Sequence, residues 1–355
     1  MDDAQLNPQN KNAQAILARW DSNYCKCRTL TYGPASSDVI RNHKVRIRKL
    51  WRRRLWLIDL FLQYLRHADL IFYVGGHPVE HSALRWRSRL CRRIPVVATI
   101  EGLIGNPDLE REYSEWAGHE VYCQHVDDYG LQRWNEIYDD AKHIIAISPF
   151  LAKMGRQQYG DKVSFLPLGV DISIFHDQGR TSSKRMRIIS AGRLESHKRP
   201  ELMMLLADKY PQADFIWFGE GSLRELLIKQ AAERQIENLQ FPGSVFPSTL
   251  AQAMRNSDIF IMPSKSEGVP KVTQEAAACG LAQVIFGFYE APSVIDGING
   301  FVVWEDSRFI ECVGELIESP GLAEKFGKSG AEMAKDLWDW NKVAPQWEQT
   351  ICRFL

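Results

Sequence analysis

The sequence predicts an α/β protein made of two Rossmann-like units, each a parallel sheet covered by helices on both faces. Three observations carry this. Short apolar, β-branched runs alternate with helix-spaced segments along most of the 355 residues, the pattern of strands buried on both faces. The alternation breaks once, in the polar stretch HDQGRTSSKR at 176–185, and then restarts. The length suits about two domains of roughly 100–200 residues each.

The chain opens on the polar segment MDDAQLNPQNKNAQ (1–14) and runs into a short helix. A Rossmann-like unit usually opens on an apolar strand, so its first strand is expected to be absent or atypical. Candidate strands follow at 28–32, 69–74, 94–100, 143–148 and 163–168, each a short run dominated by apolar residues. Between them, 45–66, 79–91 and 127–139 are expected to be helical. In the first of these, apolar positions 47, 51, 55, 58, 62 and 65 recur every three or four residues, along one helix face. After the linker the strands are 186–191, 214–218, 238–241, 258–262, 282–286 and 300–304, with helices at 200–209, 222–234 and 271–279. Pro270 suits a first helical turn and Gly280 a stop. In such sheets ligands bind beyond the carboxyl ends of the strands.

Composition narrows the function classes. The 44 Lys and Arg balance 44 Asp and Glu, and 45% of residues are hydrophobic, which excludes a disordered chain. No recognised module argues for nucleic acid. The seven cysteines are odd in number and irregularly spaced, a poor disulfide framework. Cys25-Lys26-Cys27 lacks the second ligand pair of a zinc set. With no secretory leader and no run of roughly 20 apolar residues, the expected compartment is the cytoplasm. The balance is a cancellation, however. Residues 1–170 carry 24 basic against 19 acidic residues, net +5, and residues 171–355 carry 20 against 25, net −5. Eight Lys and Arg with no acidic residue lie between Arg41 and Trp56, and Arg85, Arg87, Arg89, Arg92 and Arg93 form a second basic group. A basic helix over 41–66 would suit an anionic membrane surface; a core-packed helix with a solvated outer face fits equally.

Two motifs carry chemistry. The first is SKSEGVPKVTQEAAACG at 264–280, which follows a strand and begins a helix near Pro270. A helix start at the open end of a parallel sheet offers unpaired N–H groups and partial positive charge to phosphate. Glu267 precedes the helix and Glu275 lies about a turn inside it, so both could accept hydrogen bonds from one ligand's hydroxyls. An alternative is a dipole-favoured acid plus an exposed helix Glu. The second motif is SAGRLESHK at 190–198. Gly192 permits a tight turn or close approach, while Arg193 and Lys198 place two cations at a strand's carboxyl end; both could also be solvated loop charges. Phe218-Gly219-Glu220-Gly221 is a weaker G-x-G turn without the rest of a dinucleotide fingerprint.

Together these segments resemble the second domain of retaining glycosyltransferases of GT-B fold, the large family with a Glu–seven residues–Glu signature. The resemblance covers about 186–340 and includes Phe241-Pro242-Gly243, the run SDIFIMPS at 257–264 and DGINGF at 296–301. It implies two Rossmann-like domains facing across a cleft: an acceptor-binding domain over 1–172, a nucleotide-sugar domain over 173–335, and a C-terminal helix, 336–355, returning to the first domain. Trp338, Trp340 and Trp347 would pack that helix.

The resemblance also implies roles. Arg193 and Lys198 would neutralise the departing diphosphate, worth about 10²–10³ in rate per group. Glu267 would bind hydroxyls of the transferred sugar and Glu275 those of the ribose. Backbone amides of Gly268, Val269, Pro270-Lys271 and Val272 would cradle phosphate and sugar, with Gly192 allowing close approach and Gly243 and Ser244 at the base. No metal and no cofactor is implied, and no Asp-x-Asp occurs. In the first half, 146–148 and 166–171 resemble the family, but a Gly-rich N-terminal loop is missing. Glu101 stands where many relatives have a histidine, as a replacement acceptor or sugar contact or a mark of altered activity. His119 and His125 read as structural or surface residues. The expected function is transfer of a sugar from a nucleotide-diphosphate sugar to a glycan or lipid-linked acceptor in envelope polysaccharide or lipopolysaccharide synthesis, in the cytoplasm or at its membrane face. The alternative is a non-catalytic binding or scaffold subunit of the same fold; a nicotinamide oxidoreductase lacks its glycine fingerprint.

Overall fold

The computed structural model describes residues 8–21, 25–31, 41–49, 58, 60, 62, 69–73, 85, 94–179 and 185–355. The chain forms two compact units. The first takes in described residues up to Gly118, then Cys123–Leu168 and Trp340–Leu355; the second takes in His119–Tyr122 and Gly169–Asp339.

The first unit opens with helix α1 (Pro8–Ala18), then strands β1 (Cys27–Thr31) and β2 (Val45–Lys49), which pair in parallel from Cys27↔Val45 to Thr31↔Lys49. No strand precedes α1 among the described residues. The expected helix over 45–66 is corrected at its start. Val45 and Ile47 alternate with Arg46 and Arg48, the period of a strand, with Val45 buried and Arg46 exposed. The apolar face running from 47 to 65 is thus interrupted before 51. Most of 50–66 and of 79–91 lies outside the described residues. Arg85 is described and pairs with Glu136 and Asp140.

The main sheet of this unit orders β3 (Ile71–Tyr73), β4 (Val96–Ile100), β7 (His143–Ala146) and β8 (Val163–Phe165), all parallel. β4 is buried along its whole length, as its VVATI sequence anticipates. Beyond it lie the short parallel pair β5 (Ile104–Gly105) and β6 (Gln124–His125) and helices α2 (Pro107–Ala117), α3 (Asp128–Asp140) and α4 (Pro149–Tyr159). Asn106, Asp127 and Ser148 cap these helices, each accepting a backbone N–H three residues on.

The final helix, Trp340–Cys352, belongs to the first unit. The Trp347 indole donates to the Pro167 carbonyl at 2.8 Å, Arg19 reaches Asn341 at 2.9 Å and the Asp21 amide donates to Glu348 at 2.8 Å. Trp338 does not take part in this: it is buried in the second unit, and its carbonyl accepts from the Val170 amide at 2.7 Å. Cys25 and Cys352 form a disulfide, correcting the expectation from cysteine spacing. The two are 327 residues apart and meet because the last helix packs on α1. Nearby, burial and then the Glu348 charge push the Cys27 thiol up to about 12. No helix among the described residues is long and apolar enough to cross a membrane.

The second unit holds β9 (Arg187–Ala191), β10 (Asp214–Phe218), β11 (Leu239–Gly243), β12 (Ile259–Met262), β13 (Ala282–Phe286) and β14 (Gly300–Val303). Among the described residues they form one parallel sheet ordered β11-β10-β9-β12-β13-β14. Its helices are α5 (Glu201–Lys209), α6 (Arg224–Glu233), α7 (Pro247–Arg255), α8 (Lys271–Ala278), α9 (Asp306–Glu318) and α10 (Pro320–Met333). Strand order reverses direction between β9 and β12, which pair through Ile259↔Ile188 and Phe260↔Ile189. In an open parallel sheet the crevice beyond such a switch point is the binding site. Ile188, Ile189, Ile259, Phe260 and Val284 beneath it are fully buried, so the loops above stand on a rigid base.

Candidate active site

Both chemical motifs emerge at this switch point. The loop after β9 carries Gly192, Arg193 and a 3₁₀ turn, Ser196–Lys198; the loop after β12 carries Ser264 to Pro270 and leads into α8. The Ser264 hydroxyl ties the loops by its bond to the His197 carbonyl at 3.1 Å, and within its own loop it also reaches the Ser266 carbonyl at 2.8 Å.

The central feature is an ion pair. Lys198 Nζ lies 2.5 Å from both carboxylate oxygens of Glu267, and the side chains are 17% and 8% exposed. Residues 69 apart in sequence therefore share one enclosed spot. Beside them Tyr289 is buried; burial first, then the Glu267 charge, raises its phenol well above the ordinary range.

Arg193 is exposed on the same loop, and at the half-buried Gly192 before it an added Cβ would meet nothing within 4 Å. The Gly192 carbonyl accepts from the Trp217 indole at 3.0 Å. Gly219 and Gly221 serve backbone packing. A Cβ on Gly219 would lie 2.0 Å from the Gly192 carbonyl oxygen, and one on Gly221 2.3 Å from that of Leu194. Gly243, at φ 88°, is crowded by Glu220, whose carboxylate also accepts from the Ser244 amide at 3.4 Å.

Gly268, Val269, Lys271, Val272 and Glu275 are half-buried, while Pro270 is buried. Pro270 precedes the first residue of α8, Lys271. The Lys271 amide donates to the Val269 carbonyl and the Thr273 amide to that of Pro270, both at 2.9 Å. The Thr273 hydroxyl reaches the Pro270 carbonyl at 2.6 Å and Ser293 at 2.5 Å. These bonds fix the turn and commit one of the amides proposed from sequence. Gly280, at φ 77°, ends α8 as expected.

Sequence reasoning missed a second charged group. Asp306 at the start of α9 pairs with Arg199 and, at 3.0 Å, with Lys265. The hydrogen bond from Arg199 first, then those from Lys265, hold the Asp306 carboxyl below its usual range despite burial. Both cations also lie over the Phe286 ring, at 5.4 and 5.3 Å. The segment His119–Tyr122 was missed too. Tyr122 stacks on His197 with centroids 4.4 Å apart, its amide donates to Ser266 Oγ at 2.7 Å, and His119 packs on Phe288 at 5.0 Å. Burial, then Lys198, lowers the His197 pKa.

Glu101 lies in the first unit, just beyond β4, where its carboxylate accepts from Asn12 of α1 at 3.1 Å. That bond gives Glu101 a place in holding α1.

Two family descriptions match the chain: Glycosyltransferase Family 4 over residues 24–174 and Glycosyl transferases group 1 over 171–333. Spore coat protein SA of Bacillus subtilis is 22% identical over 239 residues, 58% of this chain and 63% of its own. Sulfoquinovosyl transferase SQD2 of Arabidopsis thaliana is 29% identical over 189 residues, 48% of this chain and 36% of its own. The chain thus spans between about a third and two thirds of the length of these curated relatives. The crystal structure of Anabaena HepE in complex with UDP superposes with a TM-score of 0.74 at 16% identity, covering 99% of this chain and 98% of that one. With two GT-B-type parallel-sheet units and consecutive family matches from residue 24 to 333, the chain belongs to the group 1, family 4-type glycosyltransferases.

Proposed function

We propose that the protein transfers a sugar from a nucleoside-diphosphate sugar to an acceptor hydroxyl, with the donor bound by the second unit at its switch point. The observation that carries this is the Lys198–Glu267 pair, held at the carboxyl ends of β9 and β12. An enclosed ammonium and carboxylate in contact are a hydrogen-bond donor and acceptor already stripped of most water. A donor's phosphate oxygen competes with Glu267 for the ammonium, and the freed carboxylate oxygens accept hydrogen bonds from sugar hydroxyls. Charge developing on the leaving diphosphate strengthens the Lys198 contact as the glycosidic bond breaks, which is transition-state stabilisation. Arg193 adds a second cation from the same loop, and Glu275, within α8, takes the ribose hydroxyls.

The cations and the amides at the start of α8 supply the charge that a bridging metal supplies elsewhere, so the reaction is read as metal-independent and free of a cofactor. Retention of anomeric configuration follows if the leaving phosphate oxygen itself takes the acceptor's proton on the face it departs from; no side chain is assigned as general base. HepE binds UDP, which makes UDP-sugars the first donors to try. The basic first half favours an anionic, lipid-linked acceptor at a membrane surface, in envelope polysaccharide or lipopolysaccharide synthesis. Nuclear magnetic resonance of the product tests the stereochemistry: an α-linked donor giving an α-linked product supports retention, and a β-linked product removes it. Calorimetric titration with UDP tests the site; binding that is unchanged in Lys198→Ala would rule out the assigned phosphate contact.

A further inference from the structure

In the first unit a different set of side chains converges. Glu110 projects from the first turn of α2, Cys123 immediately precedes β6, and His125 is the last residue of β6, paired with Gly105 of β5. The Glu110 carboxylate, the Cys123 sulfur and a ring nitrogen of His125 lie within 4.8 Å of one another. Glu110 Oε2 accepts from the Cys123 amide at 2.9 Å and lies 2.9 Å from His125 Nε2. We propose that Glu110, Cys123 and His125 form a binding site for one divalent cation of the zinc class.

The ligand set is the first reason. A thiolate, an imidazole and a carboxylate on one point favour Zn²⁺ over the hard, oxygen-preferring Mg²⁺ and Ca²⁺. Three protein ligands leave one position open for water, as in zinc sites that keep an exchangeable ligand. The second reason is geometry. Zinc bonds of about 2.0–2.3 Å in a tetrahedron place neighbouring donor atoms about 3.5 Å apart. Donors already inside 4.8 Å reach that spacing by small side-chain rotations. The third is the rigidity of the frame. Asn106 caps α2 by accepting the Leu109 amide at 2.9 Å, and its own amide donates to Asp128 at 3.2 Å. Gly105, beneath the sulfur, has room for no side chain without movement, because an added Cβ would sit 3.2 Å from Cys123 Sγ. The fourth is access: Cys123 is 1% exposed, but the His125 side chain is 50% exposed, so an ion enters from the imidazole side.

On binding, the Cys123 thiol gives its proton to solvent and the thiolate bonds the ion. The His125 nitrogen facing the site binds as a neutral imidazole lone pair. Glu110 contributes one oxygen and keeps the other for the Cys123 amide. The ion pins β6 to α2, a structural role independent of sugar transfer, so the proposal and the assigned function stand or fall separately.

The experiment uses the full chain, free of any affinity tag and stripped of metal with a chelator. Zn²⁺ is titrated against a chromogenic competitor, and Co²⁺ is added in parallel. One equivalent of Zn²⁺ should bind and raise the melting temperature. The Co²⁺ form should show a thiolate-to-metal charge-transfer band that is absent in Cys123→Ser. His125→Gln, at an exposed position, should keep the metal-free melting temperature yet bind zinc at least about 100-fold more weakly, the upper range for loss of even an outer-shell partner. No saturable uptake by the wild type, or equal affinity in a folded His125→Gln, would show that the three side chains are only a hydrogen-bonded staple.

Discussion

Lys198 Nζ lies 2.5 Å from each carboxylate oxygen of Glu267, both side chains being largely enclosed at the reversal point of the second sheet. Removing one partner from such a pair strands the other charge away from water. Lys198→Met should therefore lower unfolding free energy by about 3–5 kcal/mol. The double variant Lys198→Met/Glu267→Leu should lose less than the single one, because no unpaired carboxylate remains. Urea denaturation of the wild type, Lys198→Met, Glu267→Leu and the double variant measures both; a double variant as unstable as the sum of the two singles would mean the pair is not coupled.

Gly219 should tolerate no side chain. Its φ of 144° is already unfavourable, and a Cβ would lie 2.0 Å from the Gly192 carbonyl oxygen. Gly219→Ala should cost more than about 4 kcal/mol. Gly297→Ala is the control: φ is 71° but the space is open, so the cost should stay near about 1–2 kcal/mol. Equal losses in denaturant titrations would mean the two loops do not meet as described.

Stability should fall as the solution is acidified from neutrality. Burial, then Arg353, lowers the His143 pKa, and burial, then Lys198, lowers that of His197. Between the lowered folded values and the unfolded value of about 6.5, the unfolded chain binds more protons, so unfolding free energy rises with pH. The contribution is complete above about pH 6.5 and lost as pH falls below it. His143→Gln should flatten part of this slope in urea midpoints; an identical slope would remove His143 from the account.

The Cys25–Cys352 bond should be visible as two missing thiols when the unreduced chain is unfolded and titrated with a thiol reagent. Cys352→Ser should lose about 2–4 kcal/mol, and reductant should lower the wild type toward the variant while leaving the variant unchanged. Reductant acting equally on both would place the effect elsewhere.

What the sequence disclosed depended on how local the cause was. β12 and β13 were legible because IFIM and AQVIF are buried on both faces, and α8 because Pro270 and Gly280 bracket it. Helix α2 carries comparable signals, Asn106 at the cap, Pro107 at the first position and Gly118 at the end, which a search for buried apolar runs passes over. At 45–49 two periods compete: a three-or-four spacing running from 47 to 65 and an apolar–basic alternation over VRIR. The alternation prevails through pairing with β1, a partner no local window contains. The motif residues were likewise legible one by one, but the Lys198–Glu267 contact, the Arg199–Asp306–Lys265 cluster and the Cys25–Cys352 bond join residues from different loops and ends of the chain. Strand order in the second sheet brings the first two groups together, and the packing of the last helix on α1 brings the two cysteines together.

Turnover tests the assignment of Lys198 to sugar transfer. The chain is incubated with a panel of nucleoside-diphosphate sugars and lipid-linked acceptors, and the products are read by mass spectrometry for wild type and Lys198→Ala. The wild type should release one nucleoside diphosphate with transfer of its sugar, and the folded variant should lose about 10²–10³ of that rate. Equal turnover by the two proteins, or no binding and no release with any donor, would contradict that assignment.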